Sequence, residues 1–186
     1  MDADELIRGL SRRIRDKRVL AAIAAVRRER FVRPDLAEYA YQDTPLPIGG
    51  GQTISQPTVV ARMCEILDLK PSDRVLDVGT GSGYHAAVMA RLCAHVWGIE
   101  RDPELQGAAE RALQAAGVEN VTVVVGDGHR GLPDEAPFDA INVAAAARDA
   151  VPAALEEQLA EGGRLVAPVV RDDDERLVLV RRTAEG

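Results

Sequence analysis

Residues that bind metals or form disulfides are scarce in this chain. Its two cysteines, Cys64 and Cys93, stand apart in apolar helical segments, with no C-x-x-C pair and no Cys/His cluster. Neither a disulfide scaffold nor a zinc site is expected, and both read as reduced core thiols. Aromatic residues make up only 3%, too few for the stacking platforms of a single-strand nucleic-acid binder. The 23 basic residues are outnumbered by 30 acidic ones, so a net charge of −7 repels polyanions. No nucleic-acid partner is expected. Long hydrophobic runs are missing as well: none approaches a membrane span. The opening Met1-Asp2-Ala3-Asp4-Glu5 lacks the basic-then-apolar order of a signal peptide. The expectations are no membrane partner and a cytoplasmic location. No repeat, low-complexity tract or linker divides the 186 residues, which are expected to form one domain and a monomer.

What is present is organised around Arg74-Val75-Leu76-Asp77-Val78-Gly79-Thr80-Gly81-Ser82-Gly83-Tyr84. A short β-branched run ends in a glycine-rich turn, and a helix-prone segment, 84–92, follows. That is the strand–loop–helix opening of a nucleotide-binding α/β unit. A dinucleotide fingerprint needs its third glycine where Tyr84 stands, which argues against a NAD-binding oxidoreductase. The acidic Asp77 followed by G-x-G-x-G resembles instead the S-adenosylmethionine (SAM) signature of class I methyltransferases. Taken alone, the loop also permits a glycine turn with no ligand.

Upstream, residues 4–15 and 16–28 read as two helices, the second with Asp16 as N-cap and Val19, Leu20, Ile23 and Val26 on one face. The arginines between Arg8 and Arg30 read as a solvated helix face, against the alternative of a patch for an acidic partner. Residues 31–51 are expected to be irregular, a long loop of the functional kind. A helix follows to about Leu67, with Ser55 as N-cap and Pro57 in its first turn. From Arg74 onward strands (74–78, 95–100, 121–125, 139–143, 164–169) alternate with helices (84–92, 103–116, 150–159). That pattern predicts an α/β fold with a doubly wound, mostly parallel sheet. A last strand at 176–182, reached through the short turn Arg171-Asp172-Asp173-Asp174, must be antiparallel to its predecessor.

In such a sheet a ligand lies outside the carboxyl ends of the strands. The second strand ends in Glu100, placed to accept ribose hydroxyls, against the alternative of a surface glutamate. The third ends in Gly126-Asp127-Gly128, where Asp127 either contacts an adenine amino group or shapes a turn. The fourth ends in Asn142-Val143-Ala144-Ala145-Ala146. It lacks the Asn/Asp-Pro-Pro-Tyr stretch of nitrogen methylators, and the mid-strand amide of Asn142 needs buried partners.

The segment from Tyr41 to Pro57, with its core Leu46-Pro47-Ile48-Gly49-Gly50-Gly51-Gln52-Thr53-Ile54-Ser55-Gln56-Pro57, closely resembles the signature loop of protein-L-isoaspartate O-methyltransferases. So do the stretches 75–84, 126–128 with 136–141, and 159–169. The resemblance implies methyl transfer from SAM, leaving S-adenosyl-L-homocysteine, to the α-carboxylate of L-isoaspartyl residues in damaged proteins or peptides. The ester then closes to a succinimide, which begins repair. It implies Ser55 as the active-site serine, with Asp43, Ile48, Gln52, Thr53 and Ile54 on the substrate side. Asp77, Gly79, Thr80, Gly81, Ser82, Gly83, Glu100, Asp127 and Gly128 would bind the cofactor, without a metal. Residues 1–57 would be the N-terminal helices and substrate-side loop, and 58–186 the cofactor-binding core of a Rossmann-like methyltransferase. Three departures stand out. The chain ends at Thr183-Ala184-Glu185-Gly186, where the family adds a further strand, Pro168-Val169-Val170 stands where the family has Pro-Val-Gly, and Asn142 replaces a usually apolar residue. They leave open a methyltransferase for aspartate in one dedicated peptide, or a non-catalytic SAM-binding adaptor.

Overall fold

A computed structural model of the chain describes residues 1–148, 150–172 and 174–184. Helices α1 (Ala3–Leu10) and α2 (Lys17–Ala25) lead into a hairpin of β1 (Leu46–Gly49) and β2 (Gln52–Ile54), then α3 (Pro57–Leu67). An alternation follows: β3 (Arg74–Val78), α4 (Tyr84–Met89), β4 (His95–Glu100), α5 (Pro103–Ala115), β5 (Val121–Val125) and β6 (Phe138–Val143). The chain then runs through β7 (Ala147–Arg148), α6 (Ala153–Glu157), β8 (Leu159–Arg171) and β9 (Asp174–Arg181).

The main sheet has the order β5-β4-β3-β6-β8, all parallel, with β9 antiparallel on β8. The near-continuous apolar run of β3 is what a central strand buried on both faces requires. Side chains alternate between two cores. Val75, Val96, Ala140 and Val166 pack beneath helices α1 to α4, while Leu76, Ile99, Ile141 and Leu165 pack on the other side against Leu155 of α6. This is the predicted doubly wound α/β architecture, with its terminal antiparallel strand.

Several boundaries differ from expectation, each for a local reason. The first helix stops at Leu10, not Arg15, because the amides of Arg15 and Asp16 are taken by Glu65 Oε1 of α3, at 2.6 and 3.0 Å. Asp16 does cap α2, accepting from the Arg18 amide at 2.8 Å, and Val26 turns extended to bury its side chain. Residues 31–51 are not irregular throughout. They contain a 3-10 segment, Pro34–Tyr39, and the first strand of the hairpin, in which Leu46 pairs with Ile54 and Gly49 with Gln52. The helix expected at 150–159 shortens to α6, since Leu159 is drawn into the sheet beside Phe138. Strand β7, not anticipated, pairs with β8 through Ala147 and Val169. The turn before β9 holds Asp172 at φ 49°; Asp173, and Glu185 and Gly186 at the terminus, lie outside the described residues.

Candidate active site

The turns after β3, β4, β5 and β6 converge with the segment after β2 on one cavity of about 370 Å³, within the range of small-molecule sites. Its first wall is the glycine loop. Gly79, Gly81 and Gly83 have φ of 82°, 55° and 83°, a left-handed backbone that favours glycine. At Gly81 the need is doubled, because a Cβ there would lie 3.2 Å from Ile48 Cδ1 of β1. The loop is pinned from below by Gly79 N donating to Ile99 O at 2.9 Å, and from the side by Gly81 N donating to Glu100 Oε2 at 2.9 Å. Glu100 also accepts from the Asp102 amide at 3.1 Å. This nearly buried carboxylate thus stands at the cavity edge, held in place by two amides.

The wall after β5 is Asp127 and Gly128. Asp127 Oδ1 accepts from the His129 amide at 3.0 Å, and that bond is the largest influence holding its carboxyl below the usual range. It therefore both shapes the turn and faces the cavity. Gly128 is required by close approach: a Cβ there would stand 2.6 Å from Val78 Cγ1. After β6, Ala144 to Ala147 leave a wall of small side chains.

The opposite wall is Gln52, Thr53, Ile54 and Ser55. The hairpin is laid over the glycine loop through Ile48, and its tip approaches α5, where a Cβ on Gly50 would fall 2.9 Å from Asp102 Oδ2. Ser55 does not cap α3. Position N-cap belongs to Gln56, which makes no side-chain cap bond. The capping acceptor comes from the preceding loop, since Asp43 accepts from Thr58 N at 2.8 Å and Thr58 Oγ1 at 2.6 Å. Ser55 therefore has no capping role and lines the cavity.

The structure thus gathers eleven of the anticipated residues on one cavity: Gln52, Thr53, Ile54, Ser55, Gly79, Thr80, Gly81, Ser82, Glu100, Asp127 and Gly128. Four stand behind it. Asp43 caps α3, Ile48 presses on Gly81, Gly83 starts α4 against Leu113 and Ala109, and Asp77 is fully buried beneath the loop. Burial pushes the Asp77 carboxyl up to about 6, and its Oδ2 has no partner among the described residues. The amide of Asn142 donates to Asp77 Oδ1 at 2.7 Å, so the mid-strand asparagine has its buried partner.

Sequence reasoning missed His85, which lines the cavity from α4 and is pushed down to about 4 by burial. Its position directly after Tyr84, in the first turn behind the glycine loop, was the available signal. Arg28 was also misread as part of a solvated face. It is fully buried, donates from Nε to Ala40 O at 2.8 Å, and stacks its guanidinium 4.8 Å from the centre of the Tyr84 ring. That contact ties the N-terminal helices to the residue that closes the glycine loop.

Among the described residues no helix is long and apolar enough to cross a membrane, and no cluster of three or more His, Cys, Asp or Glu is placed to hold a metal. The cavity offers the backbone of the glycine loop, whose amides at Gly79, Thr80 and Gly81 are already spent on Ile99 O and Glu100, together with the carboxylates of Glu100 and Asp127 and the hydroxyls of Thr53 and Ser55. Such a site suits a nucleotide-like ligand on one side and a polar acceptor on the other.

The sequence profile of the family described as protein-L-isoaspartate(D-aspartate) O-methyltransferase matches residues 1–186. A protein-L-isoaspartate O-methyltransferase of Methanoculleus marisnigri is 51% identical over 173 residues, covering 92% of this chain and 78% of that protein. Among solved structures, a Plasmodium falciparum protein-L-isoaspartate O-methyltransferase in complex with S-adenosyl-L-homocysteine superposes with a TM-score of 0.86 at 29% identity. That match covers 98% of this chain and 90% of the other. A second protein-L-isoaspartate O-methyltransferase structure gives 0.87 at 31% identity over 98% of this chain, which spans 61% of that longer one.

Proposed function

The chain belongs to the protein-L-isoaspartate (D-aspartate) O-methyltransferase family, and from that premise we infer that it methylates the α-carboxylate of L-isoaspartyl residues in proteins or peptides. The observation that carries this reading is the single cavity shared by the glycine loop and the segment Gln52 to Ser55. One half suits SAM, the other a carboxylate acceptor.

SAM supplies an electrophilic methyl group on a positively charged sulfur. The rest falls to the chain. Gly79, Thr80, Gly81 and Ser82 offer backbone to the amino-acid end of the cofactor, Glu100 its carboxylate to the ribose, and Asp127 with Gly128 the adenine edge. Glu100 keeps acceptor capacity beyond the two amides that anchor it, because an ionised carboxylate has about four lone-pair sites. The acceptor carboxylate is ionised at neutral pH, with a reference pKa of about 4, and needs no base. The work of Ser55 and Thr53 is then to orient that carboxylate by hydrogen bonds and exclude water around the reacting oxygen. Ser55, freed of capping by Asp43, has its hydroxyl available for this.

On this reading residues 1–57 are the substrate side and 58–186 the cofactor core of one domain. The acidic chain, with buried free Cys64 and Cys93, fits a monomer acting on protein in the reducing cytoplasm. The test of the site is Ser55→Ala. Turnover of an isoaspartyl peptide is expected to fall at least about tenfold, the loss of one positioning hydrogen bond, while SAM affinity measured by calorimetry stays within about twofold. Parallel loss of SAM binding would contradict the assignment.

A further inference from the structure

Asp77 and Asn142 are register partners on adjacent parallel strands, and their side chains meet on the face covered by α3 and α4. Asn142 Nδ2 donates to Asp77 Oδ1 at 2.7 Å and stands 3.2 Å from His85 Nδ1; His85 Nε2 lies 3.5 Å from Cys64 Sγ. While Asp77 is ionised, one pattern satisfies these contacts. The amide spends one hydrogen on the carboxylate and one on the ring, so His85 is neutral with its proton on Nε2, directed at Cys64. Turning the amide over would set its oxygen against Asp77. Among the described residues two buried acceptors remain without partners, Asp77 Oδ2 and Asn142 Oδ1.

No salt bridge reaches Asp77 among the described residues, and the charge that bears on it, Glu100, is also negative. An uncompensated carboxylate in a core is a costly arrangement, and an apolar residue at 142 would remove the amide donor to Asp77 Oδ1, leaving the Thr80 side chain as the remaining polar influence that favours the charge. The cost has a use if the ligand above is a cation, since a charge acts across several ångströms without contact.

We infer that Asn142 is a positioning residue that keeps the Asp77 carboxylate oriented and ionised beneath the glycine loop, so that the cavity floor favours the sulfonium of SAM over the neutral sulfur of its product. This rests on the reading of the cavity as a SAM site. SAM and S-adenosyl-L-homocysteine share every other charged group, so the ratio of their affinities isolates the charge on sulfur. The groups bearing on Asp77 are His85 on α4, Cys64 on α3, Glu100 on β4 and the Thr80 side chain of the glycine loop, besides Asn142 on β6. Burial holds His85 near 4 and Cys64 far above its usual value, so between about pH 5 and pH 8 both stay neutral while Asp77, pushed up to about 6, titrates.

Calorimetric titration of the whole chain with SAM and with S-adenosyl-L-homocysteine, from about pH 5 to about pH 8.5, tests this. The preference for SAM is expected to grow roughly tenfold as Asp77 ionises, a modest share of a full charge–charge interaction at an effective dielectric near 20. In Asn142→Leu the midpoint of that rise moves up by about one to two pH units, the equivalent of one hydrogen bond to a carboxylate. In Asp77→Asn the preference no longer changes with pH. If Asn142→Leu does not fold, Asn142→Ser carries the same expectation with a smaller shift. A ratio flat with pH in the parent, or a midpoint that neither Asn142 variant moves, overturns the inference while leaving the cofactor site intact. Failure of both ligands to bind at any pH overturns the site and the inference together.

Discussion

Removing the Asp43 carboxylate separates the support of the site from the site itself. Helix α3 starts at Pro57 with no cap of its own, and its second residue, Thr58, is held by both oxygens of Asp43, at 2.8 Å to the amide and 2.6 Å to the hydroxyl. In Asp43→Ala the amide loses its cap, worth about 1 kcal/mol. The half-buried hydroxyl loses its acceptor, worth about another 1 kcal/mol. The expected loss of stability is therefore about 1–3 kcal/mol. At roughly 2–4 °C per kcal/mol for a domain of this size, Tm should fall by about 2–12 °C in a thermal melt followed by circular dichroism. Ser55 lies three residues before Thr58, so the loosened segment should also raise KM for an isoaspartyl peptide several-fold. SAM affinity should hold within about twofold, because Asp43 does not line the cavity. Asp43→Asn, which keeps an acceptor, should recover most of both losses. An unchanged Tm alongside a lost peptide interaction would show that Asp43 touches the substrate directly and would refute this reasoning.

Two further outcomes follow from the cavity floor. The folded chain holds a proton on Asp77 up to about pH 6, against 3.8 for an unperturbed aspartate, so its contribution to stability declines as pH rises through that window. Asp77→Asn should accordingly gain about 2–3 kcal/mol over the parent at pH 8 and under about 1 kcal/mol near pH 4, read from urea melts. His85 runs the opposite way over an overlapping range, which is why the comparison is between variant and parent. A gain independent of pH would contradict the assigned charge. Gly128→Ala would bring a Cβ to 2.6 Å from Val78 Cγ1 and should cost about 1–3 kcal/mol of stability, with weaker SAM binding by calorimetry. Gly128→Ala combined with Val78→Ala should regain SAM affinity relative to the single variant, and no regain would place the defect elsewhere.

The sheet was legible because its central strands are buried on both faces. Runs such as Val75 to Val78 and Ala140 to Val143 have no other low-energy home, and the glycines after β3 mark where the chain must turn left-handed. The hairpin was not legible. Pro45, Pro47 and three successive glycines hide the alternation of Leu46, Ile48 and Ile54, and only the pairing across the turn restores it. Helix starts were misjudged where the cap comes from afar: Ser55 is a good local candidate, yet Asp43 supplies the oxygen. The same limit applies to Asn142 and Arg28. Their sequence neighbourhoods are those of a strand and a basic helix face, and their partners Asp77 and Tyr84 lie more than fifty positions away. For the site, the loop Gln52 to Ser55 and the glycine turn were readable separately. That they face one another across one cavity required the fold.

The most direct test of the account offers the chain radiolabelled SAM with matched isoaspartyl and aspartyl peptides and measures the volatile methanol released from the ester. Label is expected in the isoaspartyl peptide alone, with S-adenosyl-L-homocysteine formed in equal amount. Label in the aspartyl peptide only, or SAM binding with transfer to neither, would contradict it.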